Sequence, residues 1–278
     1  MELIRGKKIA DNILSNIKSQ IDKLETKPTL AVFLIGENEA SEIYVELKRR
    51  AVEGIGMGFE LFKYPVFVAE DEILSKIKEL NEREDINGII VQLPLPDGLD
   101  KTKIINAILP KKDVDGFCRF NQERFFEDKE ILYPVFPKAI MKMVDHFLDN
   151  ADGKKEIKVS VVCKSDDFGK MMQKAFSKRG IGANYIFCDD LDNEKDILNQ
   201  ADIIITACGK RKLINSKMTK NGVMIIDGGI IKEDKRVFGD VDIESFENFK
   251  ALISPVPGGV GPVTVACLLE NTFLASRE

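Results

Sequence analysis

Tyr44 and Lys48 stand four residues apart in Tyr44-Val45-Glu46-Leu47-Lys48, a spacing that sends both side chains from one face of a helix. Beside a phenol in a partly dry pocket, a lysine loses its proton near neutral pH, because desolvation disfavours the ammonium. Such an amine can act as a general base or polarise a substrate group. The plain alternative is a surface lysine over a packed tyrosine. Gln92 closes an apolar run directly before Leu93-Pro94-Leu95-Pro96, where a strand end presents side chains and prolines fix the turn. It could equally cap a loop carbonyl. In Lys111-Lys112-Asp113-Val114-Asp115-Gly116-Phe117 two carboxylates lie two apart and face opposite ways if the segment is extended. One could grip an aminopyrimidine ring through a charge-assisted pair while the other serves structure. The segment 255–264, P-V-P-G-G-V-G-P-V-T, sets three glycines among prolines. It reads as a loop whose backbone can lie close against a flat ligand, with Thr264 capping the helix after it.

Composition narrows the setting. At 278 residues the chain has room for two domains of ordinary size, and 44% hydrophobic with 31% charged residues describes a globular protein. A net charge of −5, with both signs interleaved, gives no electrostatic case for nucleic acid or anionic membranes. The N-terminal M-E-L-I-R-G-K-K lacks the apolar run of a secretory signal, and no stretch approaches the ~20 apolar residues of a membrane span. Cys118, Cys163, Cys188, Cys208 and Cys267 are scattered without a C-x-x-C pair, so they read as reduced, buried small hydrophobes of a cytoplasmic protein. His146, the only histidine, sits in a helical stretch. A serine–histidine triad or multi-histidine metal site is therefore out unless His146 carries it alone. Proton chemistry falls to lysine, tyrosine or carboxylates.

The elements that must position these residues follow from periodicity. Residues 7–24 place Ile9, Ile13, Leu14, Ile17, Ile21 and Leu24 at helical spacing. Residues 29–35 read as a fully buried strand, and 39–54 as the helix that holds Tyr44 and Lys48. A strand over 59–68, a helix over 70–83 and a strand over 86–92 come next. Helices alternating with short apolar strands predict a parallel sheet covered on both faces. One further helix and the polar stretch 149–155 lead into a second series. Its strands fall at 157–163, 184–188, 202–207, 222–227 and 251–254, its helices at 168–179, 193–199 and 262–275. That rhythm predicts a doubly wound nucleotide-binding domain with its ligand beyond the strands' carboxyl ends, at 163–169, 188–190, 206–209 and 227–230.

Taken together, Tyr44 with Lys48, G-I-I-V-Q-L-P-L-P at 88–96, K-D-V-D-G-F at 112–117 and the 255–264 segment resemble the signatures of one family. It is the bifunctional methylenetetrahydrofolate dehydrogenase/methenyltetrahydrofolate cyclohydrolase family. The resemblance implies two α/β domains with a folate cleft between them. Residues 1–137, completed by helix 262–278, would carry the folate chemistry, and 138–261 would be a Rossmann-type NAD(P)-binding domain. It implies oxidation of 5,10-methylenetetrahydrofolate by hydride transfer to NADP, with NAD the alternative, and hydrolysis of the methenyl product to 10-formyltetrahydrofolate. These are steps of one-carbon metabolism that serve purine biosynthesis. By the same resemblance Lys48 is the key catalytic group of hydrolysis, Gln92 holds and tunes it, and Tyr44 packs against the folate. Asp115 hydrogen-bonds the pterin, and Gly261 and Pro262 line the same cleft. The cofactor would meet Lys164, Ser165, Gly169, Asp189, Thr206, Gly209, Gly229, Ile230, Gly258, Gly259 and Thr264. Tetrahydrofolate derivatives are the implied partners, with no metal, nucleic acid or membrane, and the chain is expected to form a homodimer.

The second half departs from the family pattern. Where the family has G-R-S-x-x-V-G, this chain has Cys163-Lys164-Ser165-Asp166-Asp167-Phe168-Gly169. A missing glycine narrows the backbone's approach to a pyrophosphate, and two aspartates add repulsion. Cys188-Asp189-Asp190 stands in place of a histidine–serine pair, and carboxylates there suit a ribose 2′-hydroxyl over a 2′-phosphate. P-C-T-P-x-G is altered to Pro134-Val135-Phe136-Pro137-Lys138-Ala139. Three readings stay open: a bifunctional enzyme, a cyclohydrolase with a weak, lost or NAD-dependent dehydrogenase, and a catalytically silent folate-binding protein.

Overall fold

A computed structural model describes residues 1–148, 157–233 and 236–277. Along the chain run β1 (Glu2–Leu3), α1 (Lys7–Ile21), β2 (Thr29–Ile35), α2 (Glu39–Gly54), β3 (Gly58–Tyr64), α3 (Glu70–Glu82), β4 (Gly88–Val91), α4 (Lys101–Asn106), α5 (Arg119–Phe126) and α6 (Val135–Leu148). The second half adds β5 (Val159–Cys163), α7 (Asp166–Ser177), β6 (Ala183–Phe187), α8 (Lys195–Gln200), β7 (Ile203–Ala207), β8 (Val223–Asp227), β9 (Ile231–Glu233), β10 (Arg236–Phe238), β11 (Ala251–Ile253) and α9 (Val260–Ala275). Two compact units result, one of residues 10–136 and 265–278, the other of residues 1–9 and 137–264.

The first unit is built on a parallel sheet in the order β3-β2-β4. β2 lies in the middle because Leu30-Ala31-Val32-Phe33-Leu34-Ile35 offers no polar side chain to either face, and all six residues are buried. Ile73, Ile77 and Leu80 recur at i, i+4 and i+7 on α3 and pack against Ala31, Phe33 and Ile89. Each such side chain contributes about 1.5–3 kcal/mol by leaving water. Asn271, on α9, donates its amide hydrogens to Val114 O at 2.9 Å and Tyr133 O at 2.8 Å. The C-terminal helix is thereby fastened to the 112–117 turn by buried polar bonds.

The second unit carries a six-stranded parallel sheet in the order β1-β11-β8-β7-β5-β6. Every residue of β5 and β8 is buried, as a sheet covered on both faces requires. Apart from β1 at the far edge, the chain enters this sheet at β5, moves one way to β6 and then the other way to β7 and β8, so the order reverses at β5. That reversal is the ligand-binding position of doubly wound sheets.

Some expected boundaries move. α1 ends at Ile21, where Lys27 Nζ donates to the Ile21 and Leu24 carbonyls at 2.6 and 2.9 Å and stops the helix. The strand expected over 59–68 ends at Tyr64, before Pro65. The expected loop 255–264 is shorter: α9 starts at Val260, and Thr264 lies inside it with its hydroxyl on Val260 O at 3.1 Å. Thr264 therefore does not cap this helix. α4, α5, β1 and the β9–β10 hairpin were not expected, each being too short to show a period. The polar stretch 149–155 lies outside the described residues.

Replacing Asn271 by Ala removes the donor from the buried Val114 carbonyl and the half-buried Tyr133 carbonyl. We expect a loss of about 1–3 kcal/mol in denaturant unfolding, and a loss below about 0.5 kcal/mol would refute the role given to this residue.

Candidate functional site

α2 brings Tyr44 and Lys48 to one place because Asn38 starts it cleanly: the Asn38 side chain accepts the Ser41 N–H at 3.0 Å, and Glu39 and Glu42 suit the helix's positive end. Gln92 follows β4 directly, and its N–H bonds Phe33 O at 2.9 Å, prolonging the β2–β4 pairing by one residue. The Gln92 amide donates to its neighbour Leu93 O at 2.8 Å, which leaves Oε1 to accept the Lys48 ammonium or amine, also at 2.8 Å. The side chains of Lys48 and Gln92 thus meet across the carboxyl end of this sheet.

Burial pushes the Lys48 amine below the usual lysine range, and the Asp115 carboxylate partly opposes that shift. Asp115 answers in kind: burial raises its carboxyl to about 6, the Lys48 charge pulls it down and the Asp113 charge pushes it up. Both residues keep some accessible surface, yet burial leads both shifts. Tyr44, on the same helix face, has its phenol pushed up by burial and stays protonated.

The 112–117 segment divides its labour. Lys112 is buried and donates to Leu80 O, Asn81 O and Arg83 O at 2.9, 2.9 and 2.5 Å, ending α3. Asp113 accepts from Cys118 N at 2.8 Å, Asn121 Nδ2 at 3.0 Å and Gly116 N at 3.2 Å, so it shapes the turn. Gly116 has φ +75°, and a Cβ there would lie 2.8 Å from Pro134 Cα. Asp115 is left as the carboxylate coupled to Lys48.

In the other unit the expected cofactor residues divide: Lys164, Ser165, Asp189, Gly209, Gly229 and Ile230 lie on segments after β5, β6, β7 and β8, Gly258 and Gly259 follow β11, and Gly169, Thr206 and Thr264 lie within α7, β7 and α9. Ser165 caps α7, its hydroxyl accepting the Phe168 N–H at 3.3 Å. Gly169 lets that helix lie on β6: a Cβ would sit 2.5 Å from the Tyr185 ring. Asp166, expected to repel a pyrophosphate, is paired with Lys170 and accepts the Tyr185 hydroxyl at 2.5 Å. Gly209 turns its loop at φ +60°. Gly258 does the same at φ +100°, and Gly259 follows it before α9 begins. Ile230 is exposed after Gly229, where a Cβ would strike the Asp240 carboxylate. Thr206 is wholly buried with its hydroxyl donating to Asp240 at 2.7 Å, so it supports the loop from beneath. Gly261 and Pro262 occupy the first turn of α9. The exposed Lys164, the Ser165 cap and these glycine turns fit a dinucleotide's phosphates and ribose.

Comparison with known proteins bears directly on this arrangement. Residues 4–115 match the catalytic domain of tetrahydrofolate dehydrogenase/cyclohydrolase, and residues 134–278 match its NAD(P)-binding domain. The chain belongs to the tetrahydrofolate dehydrogenase/cyclohydrolase family. The bifunctional protein FolD of Nautilia profundicola is 39% identical, with 100% of this chain and 98% of that protein covered. The crystal structure of FolD methylenetetrahydrofolate dehydrogenase/cyclohydrolase from Campylobacter jejuni superposes with a TM-score of 0.91 at 33% identity, covering 100% of this chain and 99% of that one. The Trypanosoma brucei enzyme, solved with NADP cofactor and inhibitor, gives a TM-score of 0.91 at 27% identity, covering 99% and 97%. The chain is thus an enzyme of the oxidoreductase/hydrolase family acting on tetrahydrofolates, with a Rossmann-type NAD(P)-binding domain. Among the described residues no helix is long and apolar enough to cross a membrane, and no acid, cysteine or histidine cluster could hold a metal ion. All five cysteines are free and buried, and the lone His146 lies partly exposed in α6.

Several supporting residues of this family member escape sequence reasoning. Asn271 and Lys210 belong to no motif, and their bonds become visible only when distant segments meet. Asp227 opens the 227–230 segment expected at a strand's carboxyl end, but its joint role with Asp240 does not show there. Asp240 accepts from Thr206 Oγ1, Cys208 N and Lys210 N, and Asp227 accepts from the N–H groups of Gly229, Asp240 and Val241.

Burial raises the Asp227 carboxyl to about 7, against the N–H bonds from Asp240 and Val241 that pull it down. An unfolded aspartate titrates near ~3.9. Between there and about 7 the native state keeps a proton that the unfolded chain has released, so this contribution to stability falls as pH rises through that window. Unfolding midpoints from pH 4.5 to 8 should therefore show a steeper decline in wild type than in Asp227→Asn; parallel curves would refute the assignment.

Proposed function

We propose that this chain performs both family reactions with NADP as its preferred partner, oxidising 5,10-methylenetetrahydrofolate and hydrolysing the methenyl product to 10-formyltetrahydrofolate. The observation that carries this reading is the buried Lys48 amine, bonded to the Gln92 amide at 2.8 Å and electrostatically coupled to Asp115. When bound, the nicotinamide supplies the hydride acceptor for the methylene carbon. The chain's own residues then handle a cation and a water molecule.

An ammonium beside the methenyl cation would repel it, whereas a neutral amine would not. Burial, which lowers the Lys48 pKa, favours the neutral form. In that form Lys48 takes a proton from the water attacking the cationic carbon and returns it to the ring nitrogen as that carbon–nitrogen bond breaks, while the hydroxyl proton leaves to solvent as the formyl carbonyl forms. Gln92 orients the amine without adding charge. Asp115, ionised above about pH 6, accepts the pterin's ring and exocyclic N–H groups. Tyr44 packs against the folate ring, and Gly261 and Pro262 belong to the folate-binding residues of this reading. Lys164, Ser165, Gly169, Gly209, Gly229, Ile230, Gly258 and Gly259 would bind the dinucleotide, while Asp189, Thr206 and Thr264 complete that surface. Homodimerisation and a cytoplasmic location belong to the same proposal, the latter supported by five free cysteines.

Purified protein given 5,10-methylenetetrahydrofolate and NADP should generate methenyl absorbance, and silence with both NADP and NAD would overturn the dehydrogenase half. For hydrolysis, Lys48→Met should lower turnover of methenyltetrahydrofolate by about 10²–10⁴-fold; a variant equal to wild type would remove Lys48 from the mechanism. The acidic limb of the hydrolysis profile should report the amine. Asp115→Asn removes the carboxylate that holds the Lys48 pKa up, so the limb should move to lower pH. Gln92→Glu adds a carboxylate beside the amine, so the limb should move to higher pH. Shifts of the same sign in both variants would disprove the electrostatic account.

A further inference from the structure

The loops after β6 and β7 are joined over the end of a strand that lies between them. Lys210, on the loop after β7, forms an ion pair with Asp189, on the loop after β6. In the sheet, β6 and β7 flank β5 on opposite sides and do not pair with each other. The ion pair therefore spans the carboxyl end of β5, at the position where the strand order reverses and a dinucleotide is expected.

The base of Lys210 is rigid. Its N–H bonds Asp240 Oδ1 at 2.8 Å, the Cys208 N–H bonds Asp240 Oδ2 at 2.7 Å, and Gly209 between them turns at φ +60°. Its cationic neighbours are engaged elsewhere. Arg211 pairs with Glu233 and lies 3.8 Å above the Phe238 ring, and Lys212 bonds Glu244 and Asp242 at 2.9 and 3.2 Å. Of the Lys210-Arg211-Lys212 run, Lys210 is the residue that reaches β6. A second cation adjoins it: Lys164 Nζ lies 3.6 Å from the point where a Cβ on Gly209 would sit, and its charge acts on Asp189 as well. Lys164 thus stands beside the loop that carries Lys210.

The carboxylate is the movable member. Asp189 is 83% exposed in its side chain and Lys210 41%. An ion pair so open to water is weakly held, and an incoming phosphate with more charge and more acceptor oxygens would replace it. Asp189 also stands twenty residues beyond Gly169, the spacing at which an acid on the second strand meets the ribose hydroxyls of a bound dinucleotide.

We infer that Lys210, with Lys164, is the 2′-phosphate anchor of this chain, and that Asp189 is a built-in competitor that occupies the anchor when the phosphate is missing. With NADP the 2′-phosphate takes Lys210 from Asp189. With NAD the ion pair persists and Asp189 accepts the ribose 2′-hydroxyl. The competitor narrows the preference for NADP and lets the site accept both forms. This inference rests on the dinucleotide reading of the second unit and deepens it.

Calorimetric titration tests it without reference to turnover, using 2′,5′-ADP and 5′-AMP as probes of the adenosine half alongside NADP and NAD. Asp189→Asn should tighten 2′,5′-ADP and NADP by about tenfold and weaken 5′-AMP and NAD. Lys210→Gln should weaken the phosphorylated pair by at least about tenfold and leave the others within about twofold. The salt dependence of NADP binding should be steeper than that of NAD in wild type and should flatten in Lys210→Gln. If both dinucleotides bind but their affinity ratio is the same in all three proteins, the competitor role is overturned and the dinucleotide reading stands. If neither dinucleotide binds the wild type, both are overturned.

Discussion

The bond from Lys48 Nζ to Gln92 Oε1 joins residues forty-four positions apart, and most of the catalytic unit is arranged so that it can form. Its geometry is inherited from the parallel sheet. β2 and β4 run in the same direction with Phe33 opposite Val91, so the residue after β4 emerges beside the end of β2. α2, which follows β2, starts from that end, and its Lys48 side chain reaches Gln92. Parallel pairing puts the carboxyl ends of successive strands on one edge, and the helix that follows a strand starts from that edge before running back to the amino ends. The amine and the amide meet there because both strands end there. Gln92 supplies orientation without charge, and Asp115 supplies charge without displacing Gln92.

The second unit obeys the same constraint with a different cargo. Its loops after β5, β6, β7 and β8 all lie at one end of the sheet, and two buried aspartates keep them in shape. Asp240 receives the N–H groups of Cys208 and Lys210, and Asp227 those of Gly229, Asp240 and Val241. Such carboxylates are costly to bury unless backbone donors surround them. A loop so held can tolerate a changed sequence on its outer face. The chain lacks a glycine at Cys163 and carries Asp166 and Asp167, yet Asp166 is drawn to Lys170 and Tyr185, and Gly169 still allows α7 to lie against β6.

Read from the residues alone, the spacing of Tyr44 and Lys48 left a surface lysine over a packed tyrosine as a full alternative. Burial and the Gln92 bond remove it. The two carboxylates of 112–117 were distinguishable as one structural and one free, but not which was which. Asp113 proves structural because its side chain turns inward to Cys118 N and Asn121. The 255–264 segment was expected to be a loop leading into a helix from 262, and that helix begins two residues earlier, at Val260. The segment's second half is helical because Pro262 in the first turn lacks only an N–H that would have had no partner there. α4 and α5 escaped notice because helices of six and eight residues show too few apolar repeats to register a period.

What the sequence by itself determined was the class of the fold, the family, and the short segments proposed to meet the ligand. Buried parallel strands need unbroken apolar runs, glycines with positive φ must be glycine, and catalytic groups sit at the ends of those runs. Such requirements are local and leave a mark in the order of residues. The tertiary structure alone decided which lysine answers which acid. Lys48 with Gln92, Lys210 with Asp189, and Asn271 with the 112–117 turn are pairings between distant segments. No local spacing specifies them, because a charge or an amide selects its partner only after the backbone has brought the two within bonding distance and removed the water between them.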